Sequence, residues 1–484
     1  MFDSASPLRS IALHAPSDTP RTLWIELTSR CPFDCVFCSR RMRRGTGEHL
    51  DFDLYRSLLR ELRQPECIRL NYSGESMHYP RLPEAIRLAK QTGARVELVT
   101  ALAGASESLL REIVAAGLDT LCLSVHALRQ AGWQSIYRHQ TADSFRRALA
   151  CLVEAKTAAR SALPRLEIAF VAMRRNLSEL AGVVAFARRH GIPLVTVSPV
   201  IRRDPIGEAF EEELEDGRLR DSFKDELRDA VEQARRSYSE VDLRVDSHEL
   251  EDPPAPGPAP AHYWPPLPAG ALIRTCDQDP WETVHVLSNG DIVPCEVQER
   301  VVLGNLRARR VSEIWHGDGY RQFRERYLAG DDRACARCPW KSACAPSPPP
   351  LALGPSDDPG PAFFRGWHGR DASGTLWSRA DAVVVLRRAN GTRGFLLQGV
   401  LPPAADHGAP NRLGALVNGA LLGEIRNPGR GLVEFSTVLP APRDAGDTVV
   451  FRFTTRTTWR PAAASVNGDA RGLGFALYRL GPRP

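Results

Sequence analysis

Six short β-type runs recur within the first 200 residues, and amphipathic stretches separate them. The runs are WIELT (24–28), CIRLNYS (67–73), RVELVT (95–100), LDTLCLSVH (118–126), LEIAFVAM (166–173) and PLVTVSPV (193–200). Between them, LYRSLLREL, LPEAIRLAKQT, SESLLREIVAAG and SFRRALACLVEAK carry apolar residues at helical spacing. Serial β/α units demand parallel pairing through right-handed crossovers, because no tight turn joins parallel neighbours. The pattern predicts an α/β sheet, flat or closed into a barrel, with its chemistry at the C-terminal strand ends. Strand parity favours the barrel. Glu26 and Thr28 share a face, as do Arg69, Asn71 and Ser73, and again Cys122, Ser124 and His126. A parallel strand covered on both faces is nearly all apolar, so polar residues recurring on one face imply a partly wet interior. A buried ion pair between Glu26 and Arg69 is the plainer reading of those two residues.

The 484 residues suggest about three domains at roughly 150 residues each. Two proline-rich stretches, 251–270 and 346–361, read as stiff extended linkers, because proline suits neither helix interiors nor central strands. They divide the chain into 1–250, 271–345 and 362–484. The last segment strings together AVVVLRR, GFLLQGV, LGALVNGALLGE, LVEFSTVL and TVVFRFTT with Gly, Asn and Pro turns, the pattern of an all-β sandwich. A net charge of +5 on 121 charged groups excludes a dedicated nucleic-acid binder. No apolar run approaches the roughly 20 residues of a membrane span, and the N-terminus lacks a secretory signal. A cytoplasmic protein is expected.

The cysteines carry the chemistry. CPFDCVFC sets Cys31, Cys35 and Cys38 in a CX3CX2C pattern directly after the first β-run. Three thiolates on a short loop can ligate three irons of a cubane and leave the fourth open, whereas structural zinc prefers four protein ligands. Here the sequence resembles the radical S-adenosylmethionine (SAM) superfamily, over about residues 20–200. The resemblance implies a partial (β/α)6 barrel, a SAM-binding 4Fe–4S cluster, and reductive cleavage of SAM to a 5′-deoxyadenosyl radical. It places Phe37 near the adenine and Gly74-Glu75 at the methionine amino group. The motif reads SGES where the family usually has GGEP, so Ser73 and Ser76 depart from the pattern. It further places Ser124 and His126 toward the ribose, Asn176 beside SAM, and the backbone around Val197, Ser198 and Pro199 along the adenine. A helix cap is the plain alternative for Asn176.

In the middle segment, Cys276 is followed by Gly290 and Cys295 in GX4C, then by Cys335, Cys338 and Cys344 in CX2CX5C. This resembles the SPASM and twitch extensions of radical SAM enzymes, with fewer cysteines than a full SPASM domain. The resemblance implies a second, auxiliary 4Fe–4S cluster on Cys276, Cys295, Cys335 and Cys338, leaving Cys344 spare. A zinc ribbon would want two CX2C pairs, and the segment has one. Cys67 and Cys151 read as packed. Cys122, on the inward face with Ser124, is either a small buried hydrophobe or a hydrogen-atom donor to a substrate radical.

The substrate is read from the ends of the chain. About 22 residues precede the first β-run, too few for a peptide-recognition module. The C-terminal sandwich resembles modules of carbohydrate-processing enzymes, with Trp367, Trp377 and Trp459 available to stack on sugar rings. A carbohydrate substrate is therefore expected, with epimerisation by way of Cys122. The alternatives are dehydrogenation of a sugar or cyclitol hydroxyl, peptide (RiPP) maturation, and a noncatalytic metal scaffold. A flavodoxin- or ferredoxin-type protein is the expected electron donor. SRRMRRG (39–45) is a candidate contact for it or for a phosphorylated substrate; His78 and Tyr79 are candidates for the substrate mouth; EEELED (211–216) reads as an exposed helix face.

Overall fold

The structure is a computed structural model. It describes residues 19–38, 47–138, 141–201, 210–215, 218–247, 250, 272–276, 278–296, 298, 300–329, 335, 338, 341–344, 351–352, 363–368, 375–387, 392–404, 409–418, 420–441, 448–459, 461 and 472–483. The six expected strands form: β1 (Thr22–Ile25), β2 (Cys67–Arg69), β3 (Arg95–Thr100), β4 (Thr120–Ser124), β5 (Arg165–Ala172) and β6 (Leu194–Pro199). They lie side by side in chain order, all parallel. The crossovers carry helices α1 (Phe52–Glu61), α2 (Leu82–Lys90), α3 (Glu107–Ala115), α4 (Gln130–Tyr137), α5 (Ala142–Ala158) and α6 (Leu180–Arg189). Several start on side-chain caps: Asp51, Ser106 and Thr141 each accept a first-turn N–H, satisfying donors the helix itself leaves open.

The sheet is wider than expected. Helix α7 (Asp221–Ser237) leads to β7 (Asp242–Val245), which pairs parallel with β6. On the other side, β8 (Thr283–Val286) pairs parallel with β1 and brings β9 (Asp291–Val293) and β10 (Gly304–Asn305) in antiparallel order. Val284, Val286, Ile292 and Val293 are fully buried, so this hairpin covers what would be an open edge of β1.

The two faces of the sheet differ as a barrel wall requires. Leu23, Ile25, Ile68, Val96, Leu98, Leu121, Leu123, Ile168, Phe170, Val195 and Val197 alternate onto one face and are fully buried. Trp24, Arg69, Glu97, Cys122, Glu167 and Thr196 alternate onto the other and are half-buried. The expected Glu26–Arg69 pair does not form. Register sets Arg69 beside Trp24 and Glu97, so its guanidinium bonds Glu97 at 2.9 Å and lies 4.5 Å from the Trp24 ring centre. Glu26 is one pleat further along. EEELED is likewise no helix: it turns into a two-residue strand, Leu214–Glu215, and buried Glu213 accepts the Arg174 N–H at 2.9 Å.

Ser17–Pro254 and Gln278–Tyr320 belong to one compact unit; Arg321–Pro484, with the strand Leu272–Cys276, belongs to a second. In the second unit Leu272–Cys276 pairs antiparallel with Lys341–Cys344. Its β-rich part comprises β11 (Phe363–Trp367), β12 (Leu376–Arg387), β13 (Gly394–Leu401), β14 (Asn411–Val417), β15 (Ala420–Asn427), β16 (Val433–Pro440), β17 (Thr448–Thr455) and β18 (Ala476–Arg483). These form one antiparallel sheet in the order 15-14-17-12-18-13-16, with β11 on β12. The expected sandwich is thus one continuous sheet: β12 starts against β18 and ends against β17, and both arms bury a face in a common core. Within the second proline-rich stretch, Leu351–Ala352 pairs with β18. The first stretch, 251–270, lies outside the described residues.

Candidate active site

The chain leaves β1 into the cysteine loop, and the residues between the cysteines hold it. Phe33 and Val36 are buried; the Asp34 N–H donates to the Tyr137 carbonyl at 3.2 Å and the Val36 N–H to the Ile136 carbonyl at 3.1 Å. The loop is therefore bolted to the end of α4 while Cys31, Cys35 and Cys38 stay half-buried. Burial, then the charges of Cys38 and Cys31, push the Cys35 thiol well above its ordinary value. Among the described residues, no three His, Cys, Asp or Glu side chains converge on a single metal ion. Three soft thiol donors on one anchored turn fit an iron–sulfur cluster, in which each thiolate takes a different iron.

The Gly74-Glu75 loop abuts this turn. A Cβ on Gly74 would lie 1.9 Å from the Thr28 carbonyl oxygen, and the Glu75 N–H donates to the Arg30 carbonyl at 2.9 Å. Only glycine permits so close a backbone approach. The buried Glu75 carboxylate accepts from Thr100 Oγ1 at 2.6 Å, from the Ala101 N–H at 3.0 Å and from the Met77 N–H at 3.2 Å. Burial raises its pKa to about 7, against the pull of those three donors. A carboxylate offers about four lone-pair sites, so one stays available for a further donor such as an amino group.

Two links extend from the same loop to the segment after β8. Glu26 accepts from Ser73 Oγ, from the Ser288 N–H at 3.0 Å and from Ser288 Oγ at 2.9 Å. Tyr72 donates its phenol to the Cys295 carbonyl at 3.2 Å. Neither Thr100 nor Ser288 stood out in the sequence, because each takes its role from a partner remote in the chain.

At the end of β4 the structure redistributes the expected roles. Ser124 is half-buried on the open face, and its carbonyl accepts the Tyr137 phenol at 2.8 Å. His126 is buried instead of facing a ligand: Nδ1 accepts the Val171 N–H at 3.0 Å, and its ring lies against Phe37, Tyr137 and Phe170. Burial lowers its pKa to about 3, so it stays neutral. Asn176 is fully buried; its amide NH2 donates to the His126 and Val171 carbonyls, both at 2.9 Å, and Oδ1 accepts the Met173 N–H at 2.8 Å. Its donors are spent on backbone, so it staples β5 to the β4 end rather than offering them to SAM. Phe37 stands edge-on to His126 with centroids 4.8 Å apart. Ser198 donates to Asp246 at 3.3 Å.

The remaining expected residues distribute as follows. Cys67 is buried and Cys151 half-buried. Tyr79 is buried and donates to the Leu50 carbonyl at 2.9 Å, which removes it from any substrate mouth; His78 is exposed. Cys276, Cys335 and Cys338 belong to the second compact unit and Cys295 to the first. The Cys338 N–H donates to the Cys335 carbonyl at 3.2 Å, as the Cys38 N–H does to the Cys35 carbonyl at 3.1 Å. Cys31, Cys35, Cys38, Cys67, Cys122, Cys151, Cys276, Cys295, Cys335 and Cys338 are all free thiols. Trp377 is buried with Val400, Leu473 and Ala476, whereas Trp367 and Trp459 are half-buried against the core; Trp367 donates Nε1–H to the Val383 carbonyl at 3.0 Å. Residues 39–45 lie outside the described residues. Among those described, no helix is long and apolar enough to cross a membrane.

Residues 25–163 match the radical SAM superfamily, and residues 276–339 match SPASM, an iron–sulfur cluster-binding domain. The chain therefore carries a radical SAM domain followed by a SPASM domain, and it is a radical SAM enzyme. Together the two domains imply SAM and two iron–sulfur clusters as its cofactors. Among curated proteins it is 28% identical over 329 residues to the PqqA peptide cyclase of Xanthomonas campestris pv. campestris, covering 66% of this chain and 79% of that one. It is 29% identical over 182 residues to the PqqA peptide cyclase of Gluconobacter oxydans, covering 37% of this chain and 49% of that one. Streptococcus suis SuiB, solved bound to S-adenosylmethionine, aligns at 14% identity and TM-score 0.48, covering 63% of this chain and 68% of SuiB.

Proposed function

We propose that this enzyme modifies a peptide by radical chemistry. The observation that carries the peptide reading is the 329-residue similarity to proteins named PqqA peptide cyclases, which spans 79% of their length. The carbohydrate reading has no such relative behind it, and one of its three tryptophans, Trp377, is buried.

Cys31, Cys35 and Cys38 would hold the first cluster; Cys276, Cys295, Cys335 and Cys338 the auxiliary one. Phe37, the Gly74-Glu75 backbone and carboxylate, Ser124 and Ser198 would border SAM at the strand ends. Bound there, cluster and SAM would supply one-electron chemistry able to act on an unactivated carbon–hydrogen bond. The chain's own residues do the rest. Gly74 lets two backbones close on each other, and Thr100, Ala101 and Met77 fix the Glu75 carboxylate. A small flavodoxin- or ferredoxin-type protein would deliver the electrons.

The test is anaerobic reconstitution, reduction, and incubation with SAM and short peptides encoded beside the gene. One of them is expected to stimulate 5′-deoxyadenosine formation and to change in mass, and the Cys31→Ala, Cys35→Ala, Cys38→Ala variant to do neither. Stimulation by a sugar nucleotide and by no peptide would reject the reading.

A further inference from the structure

The SGES loop is tied on two sides, and its two departures from the related motif make bonds that glycine and proline could not. On one side, Gly74 and Glu75 close on Thr28 and Arg30 of the cysteine turn. On the other, Tyr72 and Ser73 reach the segment that runs from β8 to Cys295. The Tyr72 phenol bonds the Cys295 carbonyl at 3.2 Å, and its ring stands edge-on to buried His285 with centroids 5.7 Å apart. His285 in turn bonds the Pro294 carbonyl, one residue before Cys295. Ser73 Oγ donates to Glu26 Oε1, while Glu26 Oε2 takes the N–H and Oγ of Ser288, in the turn between β8 and β9. Ser76 closes the loop on itself by donating to the Leu70 carbonyl at 2.7 Å. Glu26 is 1% exposed and Ser288 3%, so the carboxylate depends on these donors and not on water. A buried polar network with its members satisfied holds one arrangement firmly.

We propose that Tyr72 and Ser73 are positioning residues that couple the Cys295 segment to the SAM loop, so that ligation at Cys295 raises the affinity for SAM. The inference rests on the cofactor placement given above and not on the peptide reading. A ligand on the Cys295 thiol restrains the backbone of that residue, whose carbonyl is the acceptor for Tyr72. The bonds of Tyr72, and of Ser73 through Glu26 to Ser288, pass that restraint to the Gly74-Glu75 backbone. Such coupling is reciprocal: SAM on the loop steadies Cys295 by the same factor. Ligand and tie can be separated, because the Tyr72 acceptor is backbone. Cys295→Ala removes the thiol and leaves the carbonyl in place, whereas Tyr72→Phe with Ser73→Gly cuts both hydrogen-bonded ties and leaves the thiol.

The experiment measures SAM affinity by equilibrium dialysis, and iron content, on the reconstituted full-length protein without peptide or reductant. Cys295→Ala is expected to weaken SAM binding about tenfold. Its iron is expected to fall from about eight to about four per chain. Tyr72→Phe with Ser73→Gly is expected to weaken SAM binding about as much while keeping its iron. Adding Cys295→Ala to that pair is expected to cost no more than about twofold further, because the route is already cut. Thermal melts of the apoproteins check folding. Should the pair fail to fold, Ser288→Ala, which keeps the N–H to Glu26, replaces it, with a loss of about threefold and a correspondingly smaller effect of Cys295→Ala. Losses that multiply to about a hundredfold in the triple variant overturn the inference and leave the cofactor placement standing. Wild-type SAM affinity in Cys295→Ala with its iron halved does the same. Wild-type iron in Cys295→Ala takes the cluster off that residue, and overturns the placement and this inference together.

Discussion

Two residues of the SGES loop carry opposite kinds of constraint, one steric and one electrostatic. Gly74 has no room for a side chain, because a Cβ would stand 1.9 Å from the Thr28 oxygen. Gly74→Ala is expected to lower stability by about 1–3 kcal/mol and to weaken SAM binding, measured by thermal melts and equilibrium dialysis. Glu75 is constrained by its charge. Its pKa moves from 4.5 in the open chain to about 7 in the fold, so between those values the folded state holds a proton that the unfolded state has released. Its contribution is complete below about pH 4.5 and is lost as pH rises to about 7. At ~1.4 kcal/mol per unit, wild-type apoprotein is expected to lose roughly 3 kcal/mol more than Glu75→Gln over that window in denaturant titrations. Equal pH profiles for the two would show that the carboxyl is not desolvated. The cysteine spacing was legible because a motif lists its own ligands in one short stretch. The burial of His126 was not legible because it depends on Val171 and Tyr137, which only the folded chain brings to it, whereas Asn176 caps at Met173 as its plain alternative had it.

Among the elements, α4 is the one on which the cysteine turn leans. Its last residue, Tyr137, accepts the Asp34 N–H through its carbonyl, while its phenol accepts the His126 N–H at 3.0 Å and donates to the Ser124 carbonyl at 2.8 Å. Tyr137→Phe strands a buried donor and acceptor, and is expected to cost about 1–3 kcal/mol in denaturant melts. A loss below a few tenths would mean that water replaces the phenol. Six strands could be read from the sequence because each is a compact apolar run ahead of a helical pattern. The strands β7 to β10 could not, because two to four residues give no periodicity and their pairing with β6 and β1 is set by the sheet edge they cover.

On the scale of the molecule, the two cysteine groups count metal separately. Reconstituted wild type is expected to hold about eight irons per chain, and the variant lacking Cys31, Cys35 and Cys38 about four. Equal iron in the two would place no cluster on the first loop. The β/α and β-rich stretches were legible from composition, but the middle segment is no unit of its own: Gln278–Tyr320 groups with the β/α part and Arg321 onward with the β-rich part. That β8 joins the first sheet was not legible, since a parallel neighbour leaves no turn signature at either end. This pairing has a temporal consequence. Thr22 and Thr283 are register partners, so β1 meets one neighbour only after some 260 further residues have followed it. During vectorial synthesis the strand that carries the cysteine turn waits half-sheathed while most of the nascent chain emerges. The edge beside that turn can therefore close only once Val286 has emerged.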